Sequence, residues 1–446
     1  MLRLVILAVI TMFLTIQSRA QNKELIKAIK QHAHPIATAT PLSDNSDLAF
    51  LKDVLKDKTV IGLGEATHGT KEMFTMKHRI VKYLVEEMNY KIFAIEANLP
   101  ECIAINDYVM HGKGDPETSL RGIYFWTWNT VEVLDMIRWM RSYNINRPED
   151  EKIKFTGFDM QYAMGAAKAV KESLEKLAID YSEFKVLLDS LAANKGYISL
   201  ADSARQYSFL VQVQKLYDYA STYKDEYVRN TSMKEYLQHE QLISILVQAI
   251  ANQLSPDGYR DSCMAANINW ITGFENTDKI VLWAHNAHIS KSKMSEQMSY
   301  NMMGYFLHNI YGNKYYAISF DFNTGNFRSK EAWFISENTK MSYRMKEFSI
   351  TKTRKHTSNY IFAQAGMPIL FIDYTTASIS PEVNGFLSGP TKTKLIGAAY
   401  WPGKEEEFYF TLKLKEAFDA TIFLDKTTAS VPIESYTKYV EGLTKK

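Results

Sequence analysis

The stretch Val60-Ile61-Gly62-Leu63-Gly64-Glu65-Ala66-Thr67-His68-Gly69 decides the fold class of this chain. It begins with a short apolar run punctuated by glycine, which is typical of a buried parallel strand. The next segment, Thr70–Met88, carries apolar residues at the spacing of an amphipathic helix, and Lys91–Ile95 is a second apolar run. A strand, a helix and a strand in close succession predict a βαβ unit whose two strands lie parallel.

The rest of the chain repeats this alternation. The further predicted strands are Lys152–Phe158, Lys279–Trp283, Lys314–Asp321, Met367–Tyr374 and Ala420–Leu424. The further predicted helices are Asn22–His32, Leu48–Leu55, Glu132–Tyr143, Ala167–Leu177, Ser203–Tyr223 and Lys234–Leu254. We therefore predict an α/β fold with a mostly parallel central sheet flanked by helices. A large helical insertion is expected at about residues 163–275, where Gly and Pro are scarce, and residues 21–446 are expected to form a single domain.

The N-terminal residues are typical of a secretory signal peptide. Arg3 precedes the apolar run Leu4–Ile16, and Ser18 and Ala20 are the small residues that favour a cut after Ala20. The run is too short to span a bilayer, and no later apolar stretch is long enough to do so. We therefore expect export to the periplasm or the cell exterior, without stable membrane insertion.

Charge and cysteine content exclude few functions. The formal net charge of +2 gives no electrostatic reason to expect a nucleic acid or an anionic membrane as partner. Two cysteines do not make a disulfide scaffold in a chain of 446 residues. Cys102 and Cys263 both lie in apolar segments and are predicted to be single buried thiols, with a bridge between them as the alternative. The sequence does not indicate an oligomeric state.

Titratable side chains follow three of the predicted strands, at the point where each strand ends. Because open α/β sheets bind ligands at the carboxyl ends of their strands, these side chains are expected at one rim. Asp159, which follows the strand ending at Phe158, is a further candidate. A lone histidine after a strand is usually a loop or cap residue, but several titratable groups on one edge favour a functional cluster. The five side chains are Glu65, His68, Glu96, His285 and His288.

Three familiar chemistries do not fit the motifs. Gly62-x-Gly64 resembles the start of a dinucleotide fingerprint, but Thr67 occupies the third glycine position and the next strand-end acid lies too far along the chain. A serine hydrolase of the Gly-x-Ser-x-Gly type is excluded because the chain lacks that motif. A zinc peptidase is excluded because His239-Glu240 has no second histidine three residues further on.

A cluster of histidines and carboxylates without an activated nucleophile suits attack by water. An imidazole can take the water proton at neutral pH while a carboxylate orients its ring, and a second histidine or an arginine can stabilise the developing oxyanion. The same residue types can instead hold a divalent metal, which would make the protein a metallohydrolase. A third alternative is an exported protein that binds a ligand without chemistry, although binding sites seldom need so many titratable groups. The residues alone leave these alternatives open.

Several blocks of residues resemble the erythromycin esterase family. The similarity is dense from about residue 58 to residue 320 and thinner to about residue 430. Because the blocks agree in order and in approximate spacing, together they are more specific than any one of them. They are Gly64–Gly69, Ile95-Glu96, Phe125–Thr130, Trp139–Asn144, Gly157–Gln161, Arg260-Asp261, Met264-Ala265-x-Asn267 and Trp283–His288.

The resemblance implies a hydrolase that cleaves an ester or macrolactone in a small, macrolide-like substrate, without an acyl-enzyme, a cofactor or a metal. Carried over by position, His68 would be the general base that activates water, and His285 would assist at the carbonyl. Glu65 and Glu96 would orient His68 or bind the water. Supporting or substrate-binding roles are implied for six further residues, which are His288, Arg79, Asp159, Trp126, Trp128 and Arg260.

The chain departs from the family pattern in its export signal, because the well-known macrolide-inactivating members resemble cytoplasmic enzymes. Many members also share the motifs without an assigned substrate, since the motifs set the chemistry while the pocket walls set the ligand. The helices at about residues 163–275 are expected to supply those walls. Neither the natural substrate nor a role in macrolide resistance follows from the sequence.

Overall fold

The computed structural model describes residues 22–193, 203–335 and 338–444. The predicted signal peptide, residues 1–20, lies outside them. Strands and helices alternate along most of the described chain. The strands are β1 (His34–Pro35), β2 (Val60–Leu63), β3 (Ile92–Asn98), β4 (Lys154–Asp159), β5 (Ile280–Trp283), β6 (Tyr315–Ile335), β7 (Asn338–Ile350), β8 (Ile369–Asp373), β9 (Pro390–Lys394), β10 (Ala399–Tyr400), β11 (Tyr409–Lys413) and β12 (Ala420–Thr427).

The helices vary from single turns to six turns. They are α1 (22–32), α2 (Leu51–Val54), α3 (Lys71–Met88), α4 (Leu99–His111), α5 (Pro116–Arg121), α6 (Val131–Asn144), α7 (Met164–Lys176), α8 (Lys185–Ala193), α9 (Ser203–Ala220), α10 (Lys224–Asn230), α11 (Met233–Leu254), α12 (Tyr259–Phe274), α13 (Asn286–Ile289), α14 (Met303–Tyr311), α15 (Ser358–Ala363), α16 (Tyr374–Ala377), α17 (Pro381–Ser388), α18 (Leu414–Ala417) and α19 (Glu434–Thr444). Over the described ranges, none of these helices combines the length and the apolar character that crossing a bilayer requires.

The contacts divide the chain into two compact units. The first contains the described residues up to Met88 together with Ala284–Met298 and Asn313–Val431. The second contains Asn89–Trp283, Ser299–Gly312 and the described residues from Pro432 onwards. That residues 21–446 form a single domain remains a prediction.

The strands of the first unit are arranged around the long strand β6. Strands β2 and β12 pair with it in parallel, with Val60 opposite Tyr315 and Ala420 opposite Ile318. Strand β8 continues beyond β12 in the antiparallel direction, followed by β1, while β7 and β10 pair with the outer part of β6. All four residues of β2 are buried, as expected of a strand that is covered on both faces. A separate two-stranded sheet joins β9 to β11.

Among the strands of the second unit, β3 lies between β5 and β4, and all three are parallel. Every residue of β3 is buried. Trp283 at the end of β5 makes an edge-to-face contact with Trp128, with ring centroids 5.6 Å apart, and both rings are almost completely buried. Such aromatic pairs add to the hydrophobic stabilisation that burial provides.

The predicted fold class is confirmed: most strand pairs are parallel and helices flank the sheets. The predicted helical insertion is also observed, since the described part of residues 163–275 contains helices α7–α12 and no strand. Two elements differ from expectation. The predicted helix Leu48–Leu55 is a 3₁₀ turn at Ser46–Leu48 followed by the short α2, and the strand predicted to end at Asp321 continues to Ile335. That continuation pairs with β7 as a hairpin, and its polar residues hid it in the sequence.

Candidate active site

The loop that follows β2 begins at a position where only glycine fits. A Cβ at Gly64 would lie 2.0 Å from Oδ1 of Asn286, which is far closer than two atoms can approach. The Asn286 amide occupies this space because it bonds to β6, accepting from the Phe320 N–H at 3.0 Å and donating to the Phe320 carbonyl at 2.7 Å. The backbone N–H of Asn286 donates to the backbone carbonyl of Glu65 at 2.9 Å. Asn286 therefore fixes the segment of His285 against the segment of Glu65.

The loop is also anchored on the far side of His68. The Gly69 carbonyl accepts from the backbone N–H groups of Arg328 and Ser430, both at 2.9 Å. The Ala66 carbonyl accepts from the Ile396 N–H at 2.6 Å. A Cβ at position 69 would lie 1.9 Å from the Arg328 carbonyl oxygen, so the close approach again requires glycine. Bonds on both flanks hold the His68 backbone in place.

Glu65 lies between a histidine and a lysine. Its Oε1 is 2.6 Å from Nδ1 of His68, and its Oε2 accepts from Nζ of Lys77 at 2.6 Å. The side chains of Glu65 and Lys77 are fully buried, whereas 12% of the His68 side chain is exposed. The three groups form an ordered row from the interior, at Lys77, to a histidine that solvent can reach.

The charge of Glu65 determines the tautomer of His68. Burial raises the pKa of Glu65, but the Lys77 charge and the hydrogen bond with His68 outweigh it, so the net effect is a lowered pKa. The carboxylate therefore stays ionised at neutral pH and can only accept hydrogen bonds. His68 therefore donates from Nδ1, and in the neutral ring Nε2 is the nitrogen that can accept a proton.

His285 lies beside His68 in the same unit, with ring centroids 5.0 Å apart. It caps α13, because its Nδ1 accepts from the Ala287 N–H at 3.3 Å. A neutral ring that accepts at Nδ1 carries its proton on Nε2, so Nε2 of His285, which is buried, is a donor, whereas Nε2 of neutral His68 is an acceptor. His288 is half-buried in the last turn of the same short helix.

Glu96, Asp159 and Arg260 form a second cluster, within the second unit. Arg260 binds Asp159 through two nitrogens, Nε at 3.1 Å and Nη2 at 2.6 Å, and Nη2 also donates to Glu96 at 2.9 Å. Burial lowers the pKa of Arg260, but the two carboxylates outweigh this effect and raise it well above its ordinary value. Gln161 donates to Asp159 at 2.7 Å. Arg260 therefore fixes the position of the Glu96 carboxylate.

The two predicted tryptophans lie in the second unit and are buried. The Trp128 indole N–H donates to the Glu96 carbonyl at 2.9 Å, and 1% of the residue is exposed. Trp126 is 7% exposed. Trp128 is therefore joined to β3 by one hydrogen bond and packs against Trp283 of β5.

The structure places the predicted residues in three locations. It brings Glu65, His68 and His285 together in the first unit. It brings Glu96 together with Asp159 and Arg260 in the second unit, and the prediction that all of them share one rim stays a prediction. Arg79 lies apart from the Glu65 cluster, because its guanidinium binds Asp47 and the carbonyls of Thr38 and Asp44.

Lys77 and Asn286 are the residues that the sequence did not reveal as part of the site. Lys77 had a detectable signal, since it lies four residues after Met73 and three before Ile80 on the apolar face of α3. A charged residue in such a position needs a buried partner. Asn286 had no comparable signal, because its role depends on contacts with β6, far along the chain.

The two cysteines and the possible metal ligands were the remaining predicted groups. Cys102 and Cys263 are both buried and unbridged, as predicted, and burial raises the pKa of each thiol. Within residues 22–193, 203–335 and 338–444, no group of three or more His, Cys, Asp and Glu side chains has the geometry of a metal site.

A family profile and two known proteins are similar to this chain in sequence over most of its length. The sequence profile described as erythromycin esterase matches residues 85–427. YbfO of Bacillus subtilis (strain 168) is 24% identical over 438 residues, covering 91% of this chain and 92% of that protein. Erythromycin esterase type II of Escherichia coli is 23% identical over 434 residues, covering 90% and 97%.

Solved structures show the same architecture. A crystal structure of a Bacillus cereus protein superposes with a TM-score of 0.79 at 24% identity, covering 93% of this chain and 99% of that one. A mutant of the erythromycin esterase EreC, in its open conformation, superposes with a TM-score of 0.65 at 17% identity, covering 88% and 97%. At these identities the structural likeness concerns the fold.

Proposed function

The chain belongs to the erythromycin esterase family, and we propose from this that it hydrolyses an ester or macrolactone bond with water activated at His68. The family and the names of its relatives support a hydrolase. The observation that carries the finer proposal is the 2.6 Å contact between the buried carboxylate of Glu65 and Nδ1 of His68. It holds the imidazole in the tautomer that a general base needs.

The proposed reaction needs no covalent bond between the enzyme and the substrate. Nε2 of His68 takes a proton from water as the water oxygen attacks the ester carbonyl carbon. The tetrahedral intermediate collapses by breaking the bond to the leaving oxygen, and the imidazolium returns its proton to that oxygen. The products are a carboxylic acid and an alcohol, and one water is consumed. Glu65 stabilises the imidazolium while it exists, and Lys77 keeps Glu65 ionised.

His285 has a proposed role at the carbonyl oxygen. Negative charge develops on that oxygen in the transition state, and a fixed N–H donor stabilises it more strongly than the ground state. The bond from Ala287 to Nδ1 keeps the His285 proton on Nε2. The two neighbouring histidines thus have opposite tasks, one as acceptor and one as donor. A water-binding part for Glu96 remains a prediction.

The test is a panel of macrolides and simple esters, incubated with the purified protein and read by mass spectrometry for the addition of one water. We expect His68→Ala to abolish turnover of any hydrolysed compound while the circular dichroism spectrum stays unchanged. His308→Ala is the matched control, because His308 is an exposed histidine on α14. Turnover by His68→Ala at the parent rate would refute the general-base role.

The same assay separates the alternatives. Reaction in H₂¹⁸O should place the label in the acid product and not in the alcohol, because water attacks the carbonyl carbon. Loss of turnover in a chelator, restored by a divalent metal, would instead favour a metallohydrolase. Complete recovery of every compound after long incubation, with saturable binding, would favour a non-catalytic binding protein.

Two further proposals concern biology. We propose a macrolide-like lactone as one candidate substrate, by analogy with the relative named erythromycin esterase type II. Reduced susceptibility to erythromycin in cells that express the chain would support it, and unchanged susceptibility despite hydrolysis of simple esters would reject it. We also propose export after cleavage near Ala20, which N-terminal sequencing of the mature protein would test.

A further inference from the structure

A cavity of about 240 Å³ opens at the amino-terminal ends of β3 and β4 in the second unit. Ile92, the first residue of β3, and Phe155, the second residue of β4, both line it. Glu96 lies four residues further along β3, which corresponds to about 13 Å of strand. The strand residues that line the cavity therefore lie towards the amino-terminal ends of β3 and β4, while Leu99 at the start of α4 also lines it.

The floor of the cavity is apolar. Ile92 and Phe155 are almost completely buried, as are Cys102 and Met110 from α4 and Ile271 from α12. The volume is several times the roughly 30 Å³ that one water occupies. It is slightly below the range of about 300–1,000 Å³ that is common for ligand pockets. The size and the lining suit the apolar body of a small molecule.

Three carboxylates and two lysines line the mouth of the cavity, and two of the carboxylates pair with lysines that lie outside it. Lys154 and Lys234 both bind the same oxygen of Glu275, with Lys234 at 3.2 Å. The other acidic groups at the mouth have their own lysines outside it, since Asp107 pairs with Lys113 and Glu149 with Lys152. His111 is the remaining titratable group there. One carboxylate therefore serves two ammonium groups, and a ligand anion would complete the pairing.

An aromatic wall connects this charge to the floor. Trp270 and Phe274 on α12 stack with ring centroids 4.5 Å apart, and both are half-buried. The ammonium of Lys234 lies 4.9 Å from the Phe274 ring centroid. A ligand that extends from the apolar floor along this wall would place an acidic end group beside Lys234.

We propose that this cavity binds a small amphiphilic monocarboxylate, with its apolar body on the floor and its carboxylate at Lys234 and Lys154. The site is separate from the proposed hydrolase site and does not depend on the proposed function. Aromatic acids and medium-chain fatty acids share the required chemistry, so the experiment includes one of each.

The test is calorimetric titration of the full-length protein with decanoate and with 2-naphthoate at low salt. We expect saturable binding at one site per chain for at least one of the two acids. 1-Decanol and 2-naphthol, which keep the apolar body and lack the carboxylate, should bind at least about tenfold more weakly. Preference for 2-naphthoate would identify an aromatic acid as the ligand class, and preference for decanoate a fatty acid.

Two variants locate the binding. Lys234→Met should weaken carboxylate binding about tenfold without changing binding of the alcohols. Lys215→Met is the matched control, because Lys215 is an exposed lysine of the same unit, on α9 and outside the cavity. Equal binding of acids and alcohols, equal affinity in Lys234→Met and the parent, or no saturable binding of either acid would overturn the proposal.

Discussion

The buried pair of Glu65 and Lys77 allows stability and catalysis to be separated by substitution. Both side chains are fully buried, and the charged atoms lie 2.6 Å apart. Removing one member leaves the other charge buried without its main partner, which typically costs about 3–5 kcal/mol. Because whole domains are stable by only about 5–15 kcal/mol, Glu65→Gln and Lys77→Met should each cause a large shift in the urea midpoint.

The double variant Glu65→Gln/Lys77→Met should behave differently. It removes both charges at once, and methionine has a length similar to that of lysine. The Phe74 and Phe320 rings, 6.0 and 5.5 Å from Nζ, are apolar neighbours for the new thioether. Neutral replacement of a buried pair is often neutral or stabilising, so we expect the free energy of unfolding to return to within about 1–2 kcal/mol of the parent.

Activity should not return with stability. The double variant lacks the carboxylate that fixes the His68 tautomer and stabilises its protonated form, so kcat should fall about 10³–10⁴-fold. The assays are urea unfolding and turnover of any ester that the parent hydrolyses. The exposed pair Lys52 and Glu87, replaced as Lys52→Met/Glu87→Gln, is the matched control and should change neither quantity. A stable double variant with parent turnover would refute the role given to Glu65, and unchanged stability of both single variants would refute the buried pair.

Three other outcomes follow from the structure. Burial lowers the pKa of His239 to about 4, so the unfolded chain takes up a proton between pH 6.5 and 4 that the folded chain does not. His239 alone should therefore lower the free energy of unfolding by about 2 kcal/mol from pH 7.5 to pH 5, and His239→Gln should remove that part of the pH dependence in urea titrations. Gly64→Ala should lower stability by about 1–3 kcal/mol in thermal unfolding, because the new Cβ displaces Asn286, whereas Gly385→Ala, with open space around it, should not. Arg260→Lys should lower kcat about 10²-fold with little effect on unfolding, since lysine cannot hold two carboxylates in the same geometry; an unchanged kcat would show that Glu96 needs no such positioning.

The elements that sequence predicted well have local signals. The buried run of β2 and the apolar periodicity of α3 are each contained in fewer than twenty residues, and both appear where expected. The two site residues in the loop after β2 could also be predicted from local sequence, because Glu65 and His68 are separated by only two residues. Their contact depends on a loop whose glycines, Gly64 and Gly69, permit a close approach to neighbouring segments.

The elements that sequence predicted poorly depend on distant partners. The outer half of β6 is a strand because β7 pairs with it, and its own residues carry no strong apolar pattern. Arg79 was expected at the site because the family resemblance implied a supporting role for this arginine, on the helix after His68. The helix instead turns Lys77 towards Glu65 and turns Arg79 towards Asp47. Residues that are two positions apart on a helix differ by about 200° around its axis. An error of two positions in choosing the site residue therefore selects the opposite face of the helix.

The two unbridged thiols have a consequence for how the protein matures. Because Cys102 and Cys263 are shielded from solvent and hold no covalent cross-link, the native state does not require an oxidant to form. The chain can thus reach the same structure in a reducing or an oxidising compartment, and production in an ordinary cytoplasm should yield native enzyme without a disulfide isomerase.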